Sequence, residues 1–103
     1  MKLLTAELRK KLPALYSQEN NPDPIVVCKF FDPCGSWTWY VTEGSPEGED
    51  FIFFGLVRGH EEELGNFSLS ELESVKGPLG LGIERDLHWT PVPLSKVKSG
   101  VAR

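Results

Sequence analysis

The chain is short of cysteine, of positive charge and of long apolar runs, and each shortage excludes something. Cys28 and Cys34 are its two cysteines, too few for the disulfide framework that staples small secreted domains. With Cys28 in a strand and Cys34 in the turn after it, their Cα atoms are expected to lie beyond the roughly 7 Å that an unstrained disulfide spans. Both are therefore expected as free thiols, in keeping with a reducing cytoplasm. The C-x5-C spacing lacks a second ligand pair, and His60 and His88 are not in zinc-site spacing, so structural zinc is not expected. Eleven Lys and Arg face 15 Asp and Glu, a net charge of −4. Proteins held to phosphates usually present a basic surface, so overall charge does not favour a nucleic-acid partner. No segment approaches the roughly 20 apolar residues that cross a bilayer, since IVVCKFF and FIFFGLV are strand-sized. The opening MKLLTAELRKK has Leu3-Leu4 as its apolar run and no small-residue cleavage site, which argues against secretion. Motifs of catalysis are missing too: G-x-S-x-G, P-loop, H-E-x-x-H and G-x-G-x-x-G do not occur, so no catalytic residue and no cofactor is assigned.

What is present is the composition of an ordinary globular domain. The 103 residues are 40% hydrophobic and 25% charged, enough for a single domain over residues 1–103 that buries roughly two-thirds of the surface its unfolded form exposes. Eleven aromatic residues, concentrated between Phe30 and Phe67 where nine of them fall, place the core there, each able to bury about 150–250 Å².

Local signals give the elements. Thr5 caps a helix in which Leu4, Leu8 and Leu12 recur every four residues and Arg9, Lys10 and Lys11 fall in the last turn, before Pro13 stops it. SQENNPDP, from Ser17 to Pro24, is a surface connection. Ile25–Phe31, the turn Asp32-Pro33-Cys34-Gly35 and WTWYVTE together predict a β-hairpin from Ile25 to Glu43. GSPEGED, from Gly44 to Asp50, is expected as a loop and Phe51–Val57 as a third strand. A fourth strand is expected over Glu62–Phe67, with Gly65 marking a bulge. Ser68 and Glu71 form a capping box, after which Leu69, Leu72 and Val75 share a helical face until Gly77-Pro78. Ile83–Trp89 is expected as a last strand and PLSKV as a short helix or extended tail. The result is an α+β fold: an antiparallel four- to five-stranded meander sheet with an N-terminal helix and a short helix near residues 69–76.

The third strand constrains the architecture. Phe51, Phe53 and Val57 point to one face and Ile52, Phe54 and Leu56 to the other, so both faces are apolar. Each must be covered, by helices or a curled sheet within the chain or by a partner.

Three groups of residues are candidates for chemistry. Glu84, Asp86 and His88 alternate along the expected last strand and would share one face, where they could hold a metal or an acid/base pair; a solvated polar face is the plainer alternative, and no metal site is assigned. His60 with Glu61, Glu62 and Glu63 is a weaker metal candidate, because consecutive side chains point apart. Trp37, Trp39 and Tyr40, with Phe30 and Phe31, form an aromatic hairpin of the kind that stacks single-stranded bases. Lys29 is the one basic residue in that hairpin, so core packing is the simpler use. Phe54 is a candidate for partner contact through the second sheet face.

MKLLTAELRKKLPALYS, WTWYVTEGSPEGEDFIFFGLV and ELGNFSLSELESVKGPLGLGIERDLHW together resemble a small bacterial family catalogued as domain of unknown function 2958. The resemblance covers nearly the whole chain. It implies a setting, mobile DNA such as plasmids and phage-derived islands in a bacterial cytoplasm, often near anti-restriction or DNA-processing genes; it brings no catalytic positions. The expectation is thus a non-enzymatic accessory protein that binds another bacterial protein, in counter-defence or DNA processing. The alternatives are a metal-dependent nuclease or single-strand binder, and a homodimer joined by a strand edge or sheet face.

Overall fold

Capping chemistry starts the chain as the sequence predicts. A computed structural model describes residues 1–102. Helix α1 (Ala6–Lys11) begins at Thr5, whose Oγ accepts the Leu8 N–H at 3.2 Å. Leu12 ends it in an extended conformation, φ −72° and ψ 124°, because the ring of Pro13 disfavours helical geometry in the residue before it. Leu4 and Leu12 are buried and Leu8 half-buried, so the four-residue repeat is the face that packs on the sheet.

The strands that follow are β1 (Ile25–Val26), β2 (Cys28–Phe31), β3 (Thr38–Glu47), β4 (Asp50–Arg58) and β5 (Glu62–Ser68). Helix α2 (Leu69–Ser74), β6 (Glu84–Arg85), β7 (Val92–Pro93) and α3 (Leu94–Lys98) complete the order. The main sheet is antiparallel, ordered β5-β4-β3-β2-β6, so its four longest strands form a meander and β6 returns to the far edge. The fold is α+β, as expected. Among the described residues no helix is long and apolar enough to cross a membrane.

Five details differ from the sequence expectation. The expected strand Ile25–Phe31 breaks at Val27: Ile25 and Val26 leave the main sheet to pair with Pro93 and Val92. The expected loop Gly44–Asp50 shrinks to Gly48-Glu49, since β3 and β4 stay paired out to Glu47 and Asp50. Gly48 has φ +60°, and a positive φ at the first of two loop residues is the type II′ hairpin pattern. Pro46 is tolerated in β3 because β2 pairs no farther along it than Val41, so the missing N–H falls on an unpaired flank. Gly65 makes no bulge: β4 and β5 run in unbroken register, with Gly55 opposite Gly65. The irregularity lies in β3, where the register shifts between Val41 and Glu43. Val75, expected on the buried face of the second helix, is instead its exposed C-cap. The last strand shortens to Glu84–Arg85, because after the Asp86 N–H donates to the Lys29 carbonyl the chain turns, with the Trp89 N–H donating to the Asp86 carbonyl, while the Arg85 side chain donates to the Lys2 and Leu3 carbonyls.

Apolar side chains collect on both faces of the sheet. On the first, Phe30, Phe53, Phe51, Phe67 and Trp39 pack with Leu3, Leu4 and Leu12 from the N-terminal segment and Leu72 from α2. Phe53 is at the centre of that face, edge-on to Phe30 at 5.4 Å and stacked on Phe67 at 5.6 Å. On the second, Val26, Tyr40 and Leu56 pack with Leu94 and Val97 of α3. Helices on both sides are one of the two intramolecular solutions the two-sided strand allowed. The second cover is incomplete, however: α3 reaches Leu56 but leaves Ile52 and Phe54 half-buried.

Candidate functional site

The open part of the second face is bounded by a segment that the β3 bulge holds in place. Past Val41, residues 13–18 lie along the flank of β3 that β2 has vacated. Gly44 N–H donates to the Pro13 carbonyl at 2.9 Å and Leu15 N–H to the Ser45 hydroxyl at 2.9 Å. Glu43, 4% exposed, accepts the Tyr16 N–H on Oε1 at 2.9 Å and the Gln18 N–H on Oε2 at 2.8 Å. A buried carboxyl group needs such hydrogen-bond partners to offset the cost of leaving water. Among the described residues no cation pairs with it. Tyr16, between these bonds, adopts φ +68°, a strained conformation for a side chain of its size. Tyr16 is 63% exposed and lines the groove beside this segment.

Between this segment, the sheet and α3 runs a groove of about 460 Å³. Phe54 and Leu64 reach it from β4 and β5, Leu94 from α3, and Tyr16, Pro22 and Pro24 from the connecting segment; Glu19 and Lys98 add charge. Leu64 is 50% exposed and adds to the apolar lining of the groove. A second hollow, about 580 Å³, lies under the Gly77–Gly82 loop beside Leu3, Leu72 and Ile83. Those three belong to the first-face core, so that hollow is a seam in a covered face.

The aromatic hairpin is divided rather than assembled. Trp39 is buried in the first-face core, and Trp37, 38% exposed, tilts against it at 6.1 Å. The Trp37 ring also meets His60 edge-on at 5.7 Å and lies so close to Gly59 that a Cβ there would fall 2.4 Å from it. Tyr40 is on the opposite face, its ring beside Trp89 at 5.9 Å and under the Arg58 guanidinium at 5.2 Å. Arg58 donates to the Tyr40 hydroxyl at 3.3 Å and to the Val97 carbonyl at 3.1 Å, which ties α3 to the sheet. Its hydrogen bond to Glu62 raises its pKa above the usual range. Tyr40 is thus an anchor for α3, and the three aromatics make no single stacking platform.

The expected row of Glu84, Asp86 and His88 does not form, because the strand that would align them ends at Arg85. Glu84 remains in β6, while Asp86 Oδ1 accepts the His88 N–H at 2.9 Å in a local turn, and its other oxygen lies 3.9 Å from Lys29 Nζ. His88 is exposed. Among the described residues no three His, Cys, Asp or Glu side chains gather closely enough to hold a metal ion. Both cysteines are free: burial pushes the Cys28 thiol up to about 12, while Cys34 is exposed.

Of the residues singled out from sequence, Phe54 reaches the open groove. Glu43, Tyr16, Leu64 and Leu94 were missed. Alternation would have flagged Leu64, but the inward turn of Glu43 depends on the bulge, which no local signal announces. No curated protein and no solved structure matches the chain. A family model, described as a protein of unknown function (DUF2958), matches residues 3–99, and the chain belongs to that family.

Proposed function

We propose that this chain is a non-enzymatic binding protein that docks another protein on the second face of its sheet. The observation that carries the reading is the half-covered face: Phe54 and the half-exposed Leu64 line an apolar groove that α3 does not reach to close. Apolar surface held open beside polar edges is typical of protein interaction sites. The finer reading takes its context from the family resemblance: an accessory protein of a bacterial mobile genetic element, working in the cytoplasm on a host defence or DNA-processing component. The excess of acidic residues supports a protein partner over a phosphate backbone.

Affinity enrichment from a bacterial lysate, with the chain alongside Phe54→Ser and Leu64→Ser, tests this. Each variant is first checked by circular dichroism for a native melting transition. A protein captured by the chain and depleted about tenfold or more on both folded variants supports the groove. Undiminished capture by the variants, or recovery of nucleic acid alone, overturns it.

A further inference from the structure

The groove ends at a strand edge. β5 is outermost in the sheet, with β4 on one side and, among the described residues, no strand on the other. Alternate residues of such a strand direct their N–H and C=O groups outward, where another chain can pair with them. Among the described residues, no backbone bond outside the β4 ladder engages residues 62–67. Edges are commonly blunted by charged side chains, proline, a bulge or a covering element. β5 contains no proline and its register is unbroken from Glu62 to Ser68; its charges are Glu62 and Glu63, which oppose pairing with any strand that does not bring positive charge.

Its charge has one sign. Glu61, Glu62 and Glu63 are all exposed; Arg58 pairs with Glu62, and among the described residues no cation lies within ion-pair distance of Glu61 or Glu63. A second copy paired in parallel register would bring its own glutamates against these, which like-charge repulsion disfavours; one paired antiparallel would set them against residues 66–68, which carry no positive charge to meet them. A basic strand is complementary. Alternation fixes its pattern: Glu63 is on the first face and Leu64 on the second, where Leu64 opens to Phe54 and the groove.

We propose that β5 accepts an extended segment of a partner protein as a further strand of the sheet. That segment alternates lysine or arginine with large apolar side chains, the basic ones facing Glu61 and Glu63 and the apolar ones passing over Leu64 toward Phe54. Main-chain hydrogen bonds then hold the segment and side-chain pockets select it. The proposal rests on the protein-binding reading above and names the chemistry of the partner.

Panning a phage-displayed random peptide library against the full chain, followed by amide chemical-shift mapping with the best synthetic peptide, tests it. The enriched peptides are expected to alternate basic and apolar residues and to shift the amides of residues 62–67 most. Binding should weaken about tenfold or more with Glu61→Lys/Glu63→Lys and with backbone N-methylation of the peptide, and should fall as salt is raised. Absence of enrichment, acidic or helical peptides, indifference to N-methylation, or self-association of the chain through β5 overturns it. Shifts in Tyr16, Phe54 and Leu94 with silent β5 amides would remove the strand-addition proposal and leave the groove standing; silence at both would remove both.

Discussion

At Glu43 one carboxylate does the work of two caps. It accepts the N–H groups of Tyr16 and Gln18 on separate oxygens, and an amide in its place offers one acceptor and a donor that faces a donor. Glu43→Gln is therefore expected to lower stability by about 1–3 kcal/mol, read by urea denaturation, and to free Tyr16 from its φ of +68°. A wild-type midpoint would show that the carboxylate does not hold the segment. Two facing glycines make a sharper comparison. A Cβ on Gly55 would lie 1.9 Å from the Tyr40 carbonyl oxygen, whereas one on Gly65 meets nothing within 4 Å. Gly55→Ala is expected to cost about 1–3 kcal/mol or more, because internal backbone must move. Gly65→Ala should stay within about 0.5 kcal/mol of the parent. Equal losses at the two positions, measured in the same denaturant, would contradict the close approach of the β3 backbone to Gly55.

Among the elements, the two later helices are fastened in the same way. Asp50 accepts from both the amide and the hydroxyl of Ser70 in α2, at 3.1 and 2.6 Å. Asp23 accepts from the amide and hydroxyl of Ser95 in α3, at 2.8 and 2.7 Å. α3 needs this remote cap, since its own N-cap is Pro93 with no side-chain acceptor. These bonds hold both carboxyls below the usual aspartate value of 3.8, the Ser70 and Ser95 hydroxyls being the largest causes. A folded pKa below the unfolded one contributes stability that is present above the unfolded value and lost as pH falls through the folded one. Melting temperatures are thus expected to fall below pH 3.8. The double variant Asp23→Asn/Asp50→Asn should melt lower at neutral pH and show a flatter acid limb. Parallel curves for variant and parent would contradict the clamps. Elements signed by local chemistry were legible in the sequence: Thr5 and Ser68 cap where expected, and the apolar alternation of Phe51–Val57 is a strand. Partners distant in sequence were not. The β1–β7 pairing joins residues 25–26 to 92–93, and Pro93 reads against a strand until its edge position is known. GSPEGED looks like a loop because its proline and acids are tolerated along a flank that no strand covers.

Over the whole molecule, the two-sided apolar sheet was legible, but the division of labour between its faces was not. Which side α3 covers, and how far, depends on the Arg58–Val97 bond and on the Asp23 clamp, contacts between residues far apart in the chain. The candidate site was accordingly legible at Phe54 and, through alternation, at Leu64, but no further: the groove is bounded by residues 13–18, which the β3 bulge and the inward Glu43 hold along the open flank. The first face is closed by α1, α2 and the N-terminal leucines; the second is the face on which the proposed partner would complete the core. Site-specific photo-crosslinking in bacterial cells tests that most directly, with a photoreactive phenylalanine analogue placed at Leu64 or, as a control on the covered face, at the exposed Glu73 of α2. A discrete protein adduct is expected from position 64 and none from position 73; equal adducts from both, or none from position 64 in folded protein, would rule out a docking face there.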